Sequence, residues 1–124
     1  MATPEMITAL EDRAAEVARL LRLLANEKRL LIVCLLSTMG EMTVTRLGMA
    51  VGLSQSALSQ HLARLRSDGL VETRREAQML HYRIADPRIE ALLFAMARIF
   101  CPEIVGAESE TAQAESGSLA RRQA

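Results

Sequence analysis

The feature that most constrains this chain is a change of period at Gly69. Before it, apolar residues recur every three or four positions, as one face of a helix requires. After it, they alternate with polar residues, as a half-buried strand requires. From Ile7 to Leu24 the stripe is Ile7, Leu10, Ala14, Val17, Leu21 and Leu24, a seam suited to packing on another helix. From about Glu27 to Ser37 the run Leu30 to Leu36 is apolar all round, so a second helix is expected inside the core. Met39, Gly40 and Glu41 break it. Thr43 then suits the cap of a short third helix from Val44 to about Ala50, and Gly52 the left-handed residue after it. Ser54 suits the cap of a fourth helix reaching about Asp68, with Leu53 and Leu58 spaced as a hydrophobic staple.

Beyond Gly69, Val71, Thr73 and Arg75 alternate with Glu72, Arg74 and Glu76, and Leu80, Tyr82 and Ile84 alternate with Met79, His81 and Arg83. Two short strands turning around Glu76, Ala77 and Gln78 make a hairpin. Asp86 caps a last helix with Pro87 at its first position, an apolar face of Ile89, Leu92, Leu93, Met96, Ile99 and Phe100, and Pro102 as its expected stop. The residues beyond Gly106 are small, polar and charged. The expected organisation is one domain over 1–105 and a disordered tail over 106–124. A short helix followed tightly by a longer capped one, then a hairpin, is the order of a winged helix-turn-helix. The fold class is mainly α with a β-hairpin wing, of about five helices and two strands.

A chain of 124 residues is long enough for one core. No apolar stretch approaches the roughly 18 residues of a membrane span. Met1 to Glu5 carry no basic region leading into a hydrophobic run, so a cytoplasmic location is expected. Basic and acidic side chains cancel at 15 each, yet six arginines from Arg46 to Arg83 face only Asp68, Glu72 and Glu76. Basic charge therefore gathers mid-chain. The aromatics are Tyr82, Phe94 and Phe100, too few for the stacking platforms of a single-strand binder.

The fourth helix has two faces. At 100° per residue Leu58, Leu62 and Leu65 cluster on one side; Ser56, Ser59, Gln60 and Ala63 come round to the other, with Gln55 at the exposed first turn and Ser54 before it. Small residues and amides let a helix sit deep in the major groove, where glutamine pairs bidentately with adenine. Arg64, Arg66, Arg74 and Arg75 are candidates for phosphates. The same polar face would serve a merely solvated helix, and the wing arginines could be edge-strand charges. His61 lies between the faces and reads as a hydrogen-bonded structural residue. There is no phosphate loop, no paired carboxylates on one face and no nucleophile elbow, so an enzyme is not expected. Cys34 and Cys101 are packing residues or a redox pair, and Cys34, in an apolar helix, reads first as an inert core thiol.

The string Leu53-Ser54-Gln55-Ser56-Ala57-Leu58-Ser59-Gln60-His61-Leu62, with Leu65-Arg66 and the wing Thr73-Arg74-Arg75-Glu76-Ala77-Gln78, strongly resembles the ArsR family of bacterial dimeric repressors. Ala25 to Leu30 is similar to the stretch leading into that family's second helix. The resemblance runs from about Ala15 to Pro102 and implies a homodimer through the first and last helices, bound to double-stranded operator DNA. It also supplies metal sites to look for. The thiol pair expected on the third helix is missing around Val44, Thr45 and Arg46, and the last-helix zinc set is reduced to Asp86, followed by Arg88 and Ile99. No metal and no other cofactor is therefore expected. The placement of Cys34 and Cys101 resembles the branch of sulfide-responsive and biofilm growth-associated repressors, which implies sensor thiols that answer to reactive sulfur species. The alternatives are a repressor whose cysteines are structural and one that senses another oxidant.

Overall fold

The computed structural model describes residues 1–103; the expected tail over 106–124 and the domain boundary at 105 lie outside these. The elements run α1 (Pro4–Leu24), α2 (Glu27–Met39), β1 (Met42–Thr43), α3 (Val44–Val51), α4 (Gln55–Ser67), β2 (Val71–Glu76), β3 (Met79–Ile84) and α5 (Pro87–Phe100). The architecture is a winged helix-turn-helix with five helices, as expected, and a sheet of three strands rather than two. β3 is central, pairing antiparallel with β2 over its length and with the two-residue β1 through Met42–Tyr82 and Thr43–His81.

The caps read from the sequence are present. Thr43 Oγ1 accepts from the Arg46 amide at 3.3 Å, Ser54 Oγ from Ala57 at 3.1 Å, and Asp86 Oδ1 from Arg88 at 2.9 Å. Each satisfies a backbone donor that a helix start leaves orphaned. α1 begins before its apolar stripe, with Thr3 as its cap and Pro4 in its first turn. Gly52 takes the left-handed conformation that ends α3, at φ 66°. Gly48 serves a different need: a Cβ there would stand 3.3 Å from the Leu58 side chain, so α3 and α4 approach closely at this point.

Asn26 caps α2, accepting from the amides of Lys28 and Arg29 at 3.0 Å each. The next two cations finish two other helices. Lys28 Nζ donates to the Val51 carbonyl at 2.8 Å, at the end of α3, and Arg29 Nε to the Leu23 carbonyl at 2.6 Å, at the end of α1. Cations are favoured at helix C-termini, where unpaired carbonyls carry negative partial charge. The start of α2 thus ties three helices together.

The core is formed by Ile32, Val33 and Leu36 of α2, Leu47 and Val51 of α3, Leu58, Leu62 and Leu65 of α4, and Leu70, with Val71, Tyr82, Ile89 and Leu93 closing it. The expectation that α2 is buried all round needs correction. Leu31 is exposed, and Leu30, Cys34 and Leu35 are half-buried. In α1 only the C-terminal end is buried: Ile7, Leu10, Val17 and Leu21 remain exposed, as do Phe94, Ile99 and Phe100 of α5. A single chain lacks the atoms to cover these stripes. α5 ends at Phe100 with Cys101 as its C-cap, and Pro102, the expected stop, itself begins a further helical turn.

The wing turn carries strain. Ala77 has φ 56°, a conformation that costs an L-residue about 1–2 kcal/mol. Glycine removes that cost but loses about 0.5–1 kcal/mol of chain entropy on folding. Ala77→Gly is accordingly expected to stabilise the protein by up to about 1 kcal/mol, raising the urea midpoint without changing the m-value.

Candidate nucleic-acid interface and thiol pair

α4 presents its expected faces. Leu58, Leu62 and Leu65 are buried, Ser54, Gln55, Ser56, Ser59, Gln60, Ala63, Arg64 and Arg66 are exposed, and His61 is half-buried between them. Between α4 and the wing lies an open groove of about 800 Å³. Gln55, Ser59 and Arg66 line it from α4, Thr45 from α3, and Gln78 and Tyr82 from the wing. The lining is hydroxyls, amides and apolar surface, with Arg66 as its charged member. Thr45 and Gln78 were not among the residues expected here; Thr45 lies in the first turn of the short α3 and Gln78 in the hairpin turn, where sequence periodicity gives no facing direction.

The arginines fall into different surroundings. Arg64 pairs with Asp68 at 3.6 Å, and Asp68 also meets Arg19 of α1 at 3.6 Å. Arg74 forks onto Glu41, with Nη2 2.6 Å from one carboxylate oxygen and Nε 3.3 Å from the other, and its Nη1 reaches Glu76 at 3.3 Å. The hydrogen bond from Arg74 holds the Glu41 carboxyl below the usual range. Arg66 and Arg75 have no ion pair among the described residues. Of the phosphate candidates, Arg64 and Arg74 thus already carry carboxylate partners.

Cys34 sits in the middle of α2 and Cys101 at the end of α5, both outside any disulfide and half-buried. Burial pushes the Cys34 thiol up, with a smaller push from Cys101, and the helices that carry the two cysteines pack against each other. Cys34 is less enclosed than a core thiol because α2 leaves that face open. Among the described residues, no group of three His, Cys, Asp or Glu side chains is arranged to hold a metal ion. Arg88 stands beside Asp86 at 2.9 Å and crosses to Glu16 of α1 at 2.8 Å, filling that corner with its own cation. No helix among the described residues is long and apolar enough to cross a membrane.

Residues 26–73 match the profile of bacterial regulatory proteins of the arsR family. The transcriptional activator HlyU of Vibrio cholerae is 43% identical over 98 residues, 79% of this chain and 90% of its own. The structure of reduced HlyU superposes with a TM-score of 0.71 at 44% identity, over 75% of this chain and 97% of that one. The biofilm growth-associated repressor of Agrobacterium fabrum is 43% identical over 95 residues, 77% of this chain and 80% of its own. A homodimeric winged helix-turn-helix DNA-binding domain from Mycobacterium bovis superposes with a TM-score of 0.62 at 37% identity, covering 85% of this chain and 94% of that one. On sequence and fold alike, the chain belongs to the arsR family of bacterial transcriptional regulators.

Proposed function

We propose that the protein is a homodimeric, cytoplasmic repressor that binds double-stranded operator DNA and leaves it when Cys34 and Cys101 are joined by sulfane sulfur. The observation that carries the reading is the placement of two half-buried, unbridged cysteines on helices that pack together, one in α2 and one ending α5. One belongs to the core that carries α4; the other ends a helix whose exposed apolar stripe calls for a second copy. The homodimer described for the M. bovis domain and the repressor and reduced-protein descriptions of the relatives support it. In the dimer two copies of α4 would lie about 34 Å apart in successive major grooves. Ser54, Gln55, Ser56, Ser59 and Gln60 are assigned to the groove and Arg66 and Arg75 to phosphates.

The sensing chemistry balances with a low-molecular-weight persulfide, RSSH, as donor. Each cysteine thiolate attacks the outer sulfur of one RSSH, forming a protein persulfide and releasing RSH. The second protein persulfide then attacks the first, giving a Cys34–S–S–S–Cys101 trisulfide and H₂S. Two RSSH and two thiols thus become one trisulfide, two RSH and one H₂S; the thiols are oxidised by two electrons and one sulfane sulfur is reduced to sulfide. A trisulfide spans a gap that a disulfide, limited to Cα atoms within about 7 Å, does not. A bridge between α2 and α5 would bias the tilt of α4 relative to the dimer seam, a coupling of about 1–3 kcal/mol in comparable switches.

A mobility shift on the protein's own upstream DNA, with and without a persulfide donor, tests both halves. Retarded duplex that is released by the donor and recovered with reductant is the expected result. Retarded duplex indifferent to the donor would leave a regulator whose cysteines pack. For base reading, Gln55→Ala is expected to cost about 1–3 kcal/mol and to relax preference at one operator position. An unchanged ranking of operator variants would remove Gln55 from that role.

A further inference from the structure

Alternation along β2 places consecutive side chains on opposite faces of the sheet. Arg75 stands opposite Leu80, on the face shared with Thr73 and Tyr82, and Leu80 and Tyr82 line the groove beside α4. Arg74 stands opposite His81 on the outer face. There it lies between two carboxylates, Glu41 just before β1 and Glu76 at the wing tip. The half-buried His81 ring sits between the same pair, with Nδ1 3.6 Å from Glu41 and Nε2 3.7 Å from Glu76.

From this we infer that the two wing arginines have separate duties: Arg75 is the wing's phosphate contact, and Arg74 is a positioning residue that clasps the wing to Glu41. The inference rests on the DNA-binding reading above. It also revises the pairing of Arg74 with Arg75 as equivalent phosphate ligands. A fork to both oxygens of one carboxylate is a geometry that guanidinium supplies and ammonium does not. The clasp joins β2 to the loop before β1, across the central β3, so it fixes the wing's angle on the sheet. Arg75, without a carboxylate partner among the described residues, keeps its charge for the duplex.

The two duties separate by salt. Each phosphate neutralised contributes about 0.9 to the slope of log affinity against log salt on duplex DNA. Anisotropy titrations of a labelled operator between about 50 and 200 mM salt measure it. Arg75→Ala is expected to lower the slope by about 0.9, and Arg75→Lys to restore it. Arg74→Ala is expected to weaken binding about two- to tenfold with the slope unchanged. Arg74→Lys should recover little of that loss, and Glu41→Gln should reproduce it. The double variant Glu41→Gln/Arg74→Ala should be no weaker than either single one, because both remove the same clasp. A slope that falls equally in Arg74→Ala and Arg75→Ala, or full recovery in Arg74→Lys, would overturn the division of duties. A wild-type protein that binds no duplex at low salt would instead overturn the DNA-binding reading, and this assignment with it.

Discussion

In Cys34→Ser and in Cys101→Ser, a persulfide donor is expected to leave operator affinity unchanged, whereas the unsubstituted protein loses about five- to 150-fold. Serine keeps the shape of the thiol and removes its nucleophilicity, so the reduced proteins should bind DNA alike. Intact mass after donor treatment should show added sulfur in the unsubstituted protein, lost on reduction. The pH dependence follows from burial. The Cys34 thiol is raised above its ordinary 9.0, so only a small fraction is thiolate at neutral pH. Sulfur transfer from the donor to Cys34 should therefore quicken as pH rises from 7 toward 9, because thiolate is the attacking form in that step. Release that persists in either serine variant would return both cysteines to packing.

The second large effect concerns the exposed stripes. Leu10 of α1 is 63% exposed, so a charge there costs a lone chain little. In a two-fold dimer the same substitution appears twice, at about 1.5–3 kcal/mol for each buried leucine lost. Leu10→Glu is expected to raise the dimer dissociation constant by about 10²- to 10⁴-fold. Sedimentation equilibrium would measure this directly, and circular dichroism would show the helices retained. Operator affinity should fall with it, since a monomer engages one half-site. A dimer of undiminished strength would mean that the α1 stripe faces something other than a second copy.

Much of this fold is legible in the sequence because periodicity and capping are local. Thr43, Ser54 and Asp86 are short polar side chains placed just before apolar periods, and each caps the helix it precedes. The period of two after Gly69 gives the hairpin, while its register, with Glu76 opposite Met79, is set by the two-residue turn at Ala77 and Gln78. β1 escapes notice because two residues show no period, and only tertiary pairing with β3 makes Met42 and Thr43 a strand. The open face of α2 escapes for the opposite reason: an apolar residue reads as buried whether its cover is the same chain or another. The wing shows a signal left unused. Adjacent residues on a strand cannot face the same way, so alternation alone distinguishes Arg74 from Arg75. Which carboxylate Arg74 reaches is not local, since Glu41 is distant in sequence. The packing of α2 on α5, which carry Cys34 and Cys101, is likewise not local; the sequence contributes the pairing of the two thiols only through family resemblance.

Lys28, hydrogen-bonded to the carbonyl that ends α3, is also the only lysine in the sequence. The remaining cations are arginines, which amine-directed reagents leave alone. Among these side chains acylation or reductive methylation therefore has one amine target, this half-buried ammonium. It lies neither on the outer face of α4 nor on the wing, so such labelling would leave the groove chemically untouched. Slow labelling of Lys28 would report opening of the junction between α1, α2 and α3.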